Sequence, residues 1–210
     1  MADGGKVIIK IDGDNNGFKN AMGGIGKIAG TAFKGIAIGA GAAATAIGAI
    51  GTAAVKSYAE YEQLVGGVET LFKDSAKILE NYANEAYKTA GMSANEYMAT
   101  ITSFSASLLQ SLGGDTKKAA EYGNQAVIDM SDNANKMGTS IEMIQNAYQG
   151  FAKQNYTMLD NLKLGYGGTK TEMERLLKDA EKISGIKFKL DSFADVTQAI
   201  HVIQTEMGIT

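Results

Sequence analysis

At 210 residues the chain has room for one fair-sized domain or two small ones. It contains no Cys, which excludes disulfides, thiolate metal sites and cysteine nucleophiles, and no Pro, where average usage of about 5% predicts roughly ten. The net charge of −3 comes without a basic stripe, and the lone Arg, Arg175, sits among acids in TEMERLLKDAEK. Direct nucleic-acid specificity, which needs many phosphate contacts, is therefore not expected.

A chain without proline carries nothing that deletes helix hydrogen bonds, and its wealth of Ala, Glu, Lys, Leu and Met predicts long helices. The averages conceal an asymmetry. Half of the 26 glycines lie in the first 51 residues. Through Lys56 six Lys face three Asp, a net +3, and beyond it the balance is −6. The expected fold class is all-α, a helical bundle or an elongated coiled-coil assembly, with one short N-terminal strand and a Gly/Ala-rich apolar helix. The expected segments are 1–24 for strand and turn, 25–56 for the apolar helix, and 57–210 for a region of about six helices.

KVIIKID, Lys6 to Asp12, is β-branched and weakly alternating, and reads as a strand. A lone strand is not stable in water, so it needs a partner strand from another chain or a surface to lie on. Asp12, Asp14, Asn16 and Gly17 then imitate the first half of a calcium loop. The twelfth position, which must carry a bidentate acid, is Gly23, and a strand rather than a helix enters the loop. A strand-to-helix turn with Asp14, Asn15 or Asn16 as N-cap explains the run better.

GIAIGAGAAATAIGAIGTAAV, Gly35 to Val55, is uncharged and about as long as the roughly 20 residues that cross a bilayer. Lys27, Lys34 and Lys56 bracket it, but Leu and Phe are scarce. Small residues at four-residue spacing, Gly26/Gly30, Gly35/Gly39 and Ala40/Ala44/Gly48, allow close backbone approach. Those from Gly35 onward, together with Ile47 and Ile50, are the candidate helix-packing or membrane-inserting residues. Two readings stand side by side, a buried oligomer seam and a segment that enters a membrane.

From Lys56 the pattern becomes amphipathic. Tyr58, Tyr61, Val65, Val68, Phe72, Leu79, Tyr82 and Ala86 follow a 3–4 alternation, flanked by Leu64, Leu71 and Ile78. Tyr61, Leu64, Val65, Val68, Leu71, Phe72 and Leu79 are the candidate oligomer or bundle core. Gly66 and Gly67 inside this helix predict a break or a close backbone approach. Gly91 ends it.

Ser93 and Glu96 form a capping box opening a helix with Tyr97, Ile101, Phe104, Leu108 and Leu112 inward. Gly113 and Gly114 stop it. Asp115 caps the next helix, which runs to about Met137 with Tyr122, Ala126, Met130, Ala134 and Met137 inward. Ser140 opens a shorter one carrying Ile141, Ile144, Tyr148 and Phe151. A glycine-containing loop follows, then a helix over Met173, Leu176, Leu177, Ala180 and Ile183, stopped by Gly185. Ser192 opens the last helix, with Val196, Ile200 and Ile203 inward and Gly208 at its end. Short joints suit a compact bundle, while helices laid end to end would form a rod of up to about 300 Å.

No catalytic, metal or cofactor site emerges, and no enzymatic activity is expected. His201 is the only histidine, so common zinc sites are excluded, and it reads as a half-buried or surface residue. No Gly-x-Ser-x-Gly elbow is present to host a serine nucleophile. The pairs Glu60/Glu62, Glu172/Glu174 and Asp179/Glu181 fall on polar helix faces, where solvated charge is the ordinary explanation. LGYGGTKTE, Leu164 to Glu172, faintly suggests a phosphate loop, but Thr169 replaces the glycine before the lysine. Thr169 or Thr171 as an N-cap accounts for it better.

Three stretches carry a family resemblance: YEQLVGGVETLF (Tyr61–Phe72), NAYQGFAKQNYTMLDNLKLGYGGTKTEMERLLKDAEKISG (Asn146–Gly185) and DSFADVTQAIHVIQTEMGIT (Asp191–Thr210). They resemble the N-terminal region of tail tape measure proteins of long-tailed phages and prophages of Gram-positive bacteria. The Met-Leu-Asp-Asn-Leu run with Gly-Tyr-Gly-Gly-Thr-Lys-Thr is the most specific part. The resemblance implies a non-enzymatic virion protein that lies in several copies in the tail lumen, sets tail length and leaves ahead of the genome. It implies homo-oligomers, a trimer among them, and as partners the tail tube protein, tail-tip proteins, assembly chaperones and, on ejection, the host membrane. Family members run to many hundreds of residues, so it also implies that the chain is the N-terminal part of a longer protein.

Overall fold

The computed structural model describes the backbone of residues 40–210 and side chains from Ala53 onward. The expected strand Lys6–Asp12, the calcium-like turn, and Gly26, Gly30, Gly35 and Gly39 lie outside the described residues. The chain divides between Ala53 and Ala54 into two units. Of the first, the described part is the helical backbone from Ala40 onward.

The described residues are all-helical, with no strand among them. Helix α1 spans Ala40–Phe72. A 3₁₀ turn, Lys73–Ser75, leads into α2 (Ala76–Thr89), followed by α3 (Ala94–Ser111), α4 (Thr116–Met137) and α5 (Ile141–Phe151). A second 3₁₀ turn, Leu159–Leu162, precedes α6 (Lys170–Ser184) and α7 (Phe193–Glu206).

Local chemistry places most of these boundaries. The Ser93 side chain accepts from Glu96 N at 3.3 Å while Ser93 N donates to Glu96 Oε2 at 2.9 Å, a complete capping box. Asp115 accepts from Lys118 N, Ser140 from Met143 N, Thr169 from Glu172 N and Ser192 from Asp195 N. Each bond satisfies an amide that the first helical turn leaves without a partner. Gly138 (φ 64°) and Gly185 (φ 72°) close α4 and α6 in the left-handed conformation that glycine adopts without steric cost.

Within the second unit, Ala54–Thr210, α4 is the central element. It touches α2, α3, α5, α7 and both 3₁₀ turns, while α7 pairs closely with α6 and also meets α3. The core runs through Val68, Phe72, Leu79, Ile101, Leu108, Met130, Ile144, Leu162, Leu176 and Ile200, each fully buried. The helices fold back on one another, so the end-to-end arrangement is not the one adopted between residues 54 and 210. The expected core residues divide accordingly. Val68, Phe72 and Leu79 are in this chain's own core, and Tyr61, Leu64, Val65 and Leu71 pack half-buried against it.

Three expectations are corrected. The break falls at Lys73–Ser75 and not at Gly66–Gly67, which remain helical with open space where a Cβ would stand. Lys73 takes a left-handed φ of 49°, and the buried Ser75 Oγ bonds Thr116 Oγ1 at 2.9 Å, which ties the turn to the start of α4. Second, the buried face of α4 is only in part the one expected: Ala126 and Met130 are buried as the periodicity requires, but the face extends to one side of them. Ala119, Ala120, Gly123 and Val127 are buried, while Tyr122, Ala134 and Met137 are only partly so. The cause is a close approach of α3, since a Cβ on Gly123 would stand 2.8 Å from Ile101 Cδ1. Third, Ile183 is 47% exposed although it lies on the same stripe as the buried Leu176, so the apolar cover ends before the last turn of α6.

Candidate functional site

The stretch that carries the strongest resemblance, between α5 and α6, has the length and irregularity of a functional loop. Its side chains bond other parts of the same chain. Lys163, at φ 54°, donates from Nζ to the Met137 and Gly138 carbonyls at 2.9 and 3.3 Å, closing the C-terminal end of α4. Asn133 Nδ2, buried on α4, donates to Leu162 O at 3.0 Å, and Thr139 Oγ1 donates to Asn161 O at 3.0 Å. Tyr156 Oη reaches Leu190 O at 2.9 Å, attaching the segment before α7. Leu159, Leu162 and Leu164 are buried.

The glycine run has an equally internal role. A Cβ on Gly168 would stand 2.1 Å from Thr157 O, so only glycine lets the two backbones meet. Gly167 N, an amide that a phosphate loop would aim at an anion, donates instead to Glu172 Oε2 at 3.1 Å. Arg175 lies over the Tyr166 ring at 4.3 Å, donates to Gly165 O at 2.8 Å and pairs with Glu172. The Arg175 and Gly167 bonds hold the Glu172 carboxyl below the usual carboxylate range. An ionised Glu172 at the loop repels any phosphate, so the sequence's faint phosphate-loop pattern is a folding feature. Thr169, and not Thr171, is the N-cap of α6.

A polar cluster lies at the interface of α4, α5 and α7. Asp129 is 1% exposed, and its two carboxylate oxygens lie 3.0 and 3.1 Å from His201 Nδ1, with Gln125 Nε2 at 2.9 Å. The Asp129 hydrogen bond raises the His201 pKa above 6.5 against the opposing effect of burial. Tyr148 and Gln204 are fully buried. Burial, then the Asp129 charge, pushes the Tyr148 phenol well above its ordinary value, and the adjacent Gln204 amide opposes this. Neither Tyr148 Oη nor the Gln204 amide atoms complete a hydrogen bond of normal geometry. Unpaired buried groups of this kind cost about 1–3 kcal/mol each.

An aspartate holding a histidine is the orienting half of a general-base arrangement. A reacting centre also needs a nucleophile and a cleft. Among the described residues, surface clefts of about 400, 270 and 300 Å³ are lined by other residues, including Met92, Thr100 and Gln145 for the first. Among the described residues no group of three or more His, Asp or Glu is placed to hold a metal ion. The dyad joins two helices 72 residues apart in sequence. Sequence reading singled out His201 and missed Asp129. The available signal was Asp129 itself, an acid three residues after Ala126 on an otherwise apolar stripe.

Of the candidate packing or membrane-inserting residues, Ala40, Ala44, Ile47, Gly48 and Ile50 lie on the helical backbone of α1, with side chains outside the described residues. Among the described residues no helix is long and apolar enough to cross a membrane. Comparison of the chain with protein-family models, curated proteins and solved structures finds no match.

Proposed function

We propose that this chain is a structural protein of a phage tail, the N-terminal region of a tape measure protein, acting in virion assembly and genome delivery rather than in catalysis. The observation that carries the reading is how the resembling residues are used. Lys163 and Arg175, although exposed, bond other parts of the same chain, Gly168 lets two of its backbone segments meet, and the leucines of residues 159–164 are buried, as a scaffold's signature residues should be. The other two resembling stretches supply core to the same unit, Val68 and Phe72 from one and Val196, Ile200 and Ile203 from the other.

In this reading residues 54–210 are a folded head, and tail length is set by helical chain elsewhere in the parent protein. Drawn out as one helix, those residues would span roughly 235 Å at about 1.5 Å per residue. Partners in this reading are further copies of the chain, the tube and tip proteins and the assembly chaperones. Gly35 to Val55 is the part that would meet a host membrane, and liposome leakage that survives its deletion removes that element.

The deciding experiment combines detection of the chain in purified tails with electron microscopy of phage carrying in-frame deletions. The chain is expected in tails. Deleting residues 76–210 should leave tail length unchanged if the head stays folded, and shorten it by about 200 Å if the head opens into a rod. A chain absent from tails overturns the proposal.

A further inference from the structure

We propose that Asp129 and His201 form a pH-sensitive latch that holds the C-terminal helix α7 to the centre of the bundle. This inference stands independently of the tail assignment. It rests first on geometry. The Asp129 carboxylate is 1% exposed and has His201 Nδ1 against both oxygens, with Gln125 its other partner. A carboxylate taken out of water needs a compensating charge, and the imidazolium is the cation placed to supply it. His201, with 31% of its side chain exposed, can exchange its proton with solvent. The contact therefore titrates without prior unfolding.

The surroundings leave this pair in control. On α4, Asp129 faces His201, and Asp132 and Lys136 are the charged groups along the helix beside it. Asp132 is raised by burial and then by Asp129, while Lys136 opposes this and reaches Gly208 O at 3.5 Å. On α5, Tyr148 lies within the field of Asp129 and stays neutral. On α6, Glu172, Arg175, Asp179 and Lys182 pair among themselves. From α3 the contacts with α7 are uncharged, Phe104 against Phe193 at 5.8 Å and Ser111 Oγ accepting from Ala194 N at 3.1 Å. Asp129 is the charge that acts on His201.

The sign follows from linkage. The folded pKa of His201 lies above 6.5, so its stabilisation is fully present below that unfolded value and is lost as pH rises through the folded value. Neutral His201 can still donate Nδ1–H, so the bond persists and the charge compensation goes.

The test begins with the unaltered chain. An NMR titration of its single histidine should give a midpoint above 6.5, and a midpoint at or below 6.5 overturns the proposal. Asp129→Asn should bring the midpoint down, and an unmoved midpoint also overturns it. Should that variant fail to fold, the wild-type titration decides. Between about pH 6 and about pH 9 the wild-type Tm should fall more than that of His201→Gln. Superposed profiles overturn the latch. Hydrogen exchange, corrected for intrinsic rates, should accelerate over the same range in α7 and not in α3. Equal acceleration in both overturns a local latch.

Discussion

Two glycine-bearing regions of the same chain behave in opposite ways. Between α5 and α6, Gly168 stands where a single added carbon would collide with Thr157 O, and nearly every polar group nearby has an internal partner. In α1, Gly66 and Gly67 sit mid-helix with nothing within 4 Å of where a Cβ would be. The first region uses glycine because two backbones must meet. The second accepts the helix-weakening cost of glycine without an intramolecular reason. Glycine content alone therefore did not distinguish a fold-defining site from an open helix face, and the surrounding backbone does.

The comparison can be pressed by mutation. The largest effect is expected at Phe72, the fully buried last residue of α1, where Phe72→Ala should cost about 3–5 kcal/mol in chemical denaturation. A small loss there would mean that α1 is not part of the core. Gly168→Ala should cost about 2–3 kcal/mol, since backbone must shift to admit the methyl group, and a wild-type denaturation midpoint would remove the close approach. Ser93→Ala opens the capping box at α3 and should cost about 1 kcal/mol by the same measurement. Gly66→Ala should act in the opposite direction, raising stability by about 0.5–1 kcal/mol, because α1 has room for the methyl group and gains helix propensity. Destabilisation at Gly66 would show that its surroundings are closed. Smallest of all, Ile183→Ser should change stability by less than about 0.5 kcal/mol, as expected for a side chain that is half exposed.

The legible and illegible parts of the fold separate along the same physical line. Ser93, Asp115, Ser140 and Ser192 were readable as helix starts because each bond closes over three residues. Gly185 was readable as a stop because its conformation is a property of one residue. The inward faces of α3 and α5 followed from periodicity, and Ile101, Phe104, Ile144 and Tyr148 are buried as that pattern requires. The break at Lys73–Ser75 was not readable, since its Ser75–Thr116 bond spans 41 residues. The extension of α4's buried face through Gly123 depends on Gly123 meeting Ile101 from another helix.

The candidate site shows the same limit. His201 was conspicuous as the only histidine, yet its partner Asp129 is 72 residues away and looked like one acid among many. The loop before α6 was visible as a glycine-rich run, but which amides it exposes depended on Glu172 and Arg175 folding back onto it.

By itself, then, the sequence determined helical content, helix ends and most inward faces, because these are set by interactions within one or two turns. Tertiary structure alone decided that the helices fold back between residues 54 and 210, that Asp129 meets His201, and that Gly168 and not Gly66 is indispensable. Those outcomes depend on which distant surfaces come into contact, and no local pattern encodes that.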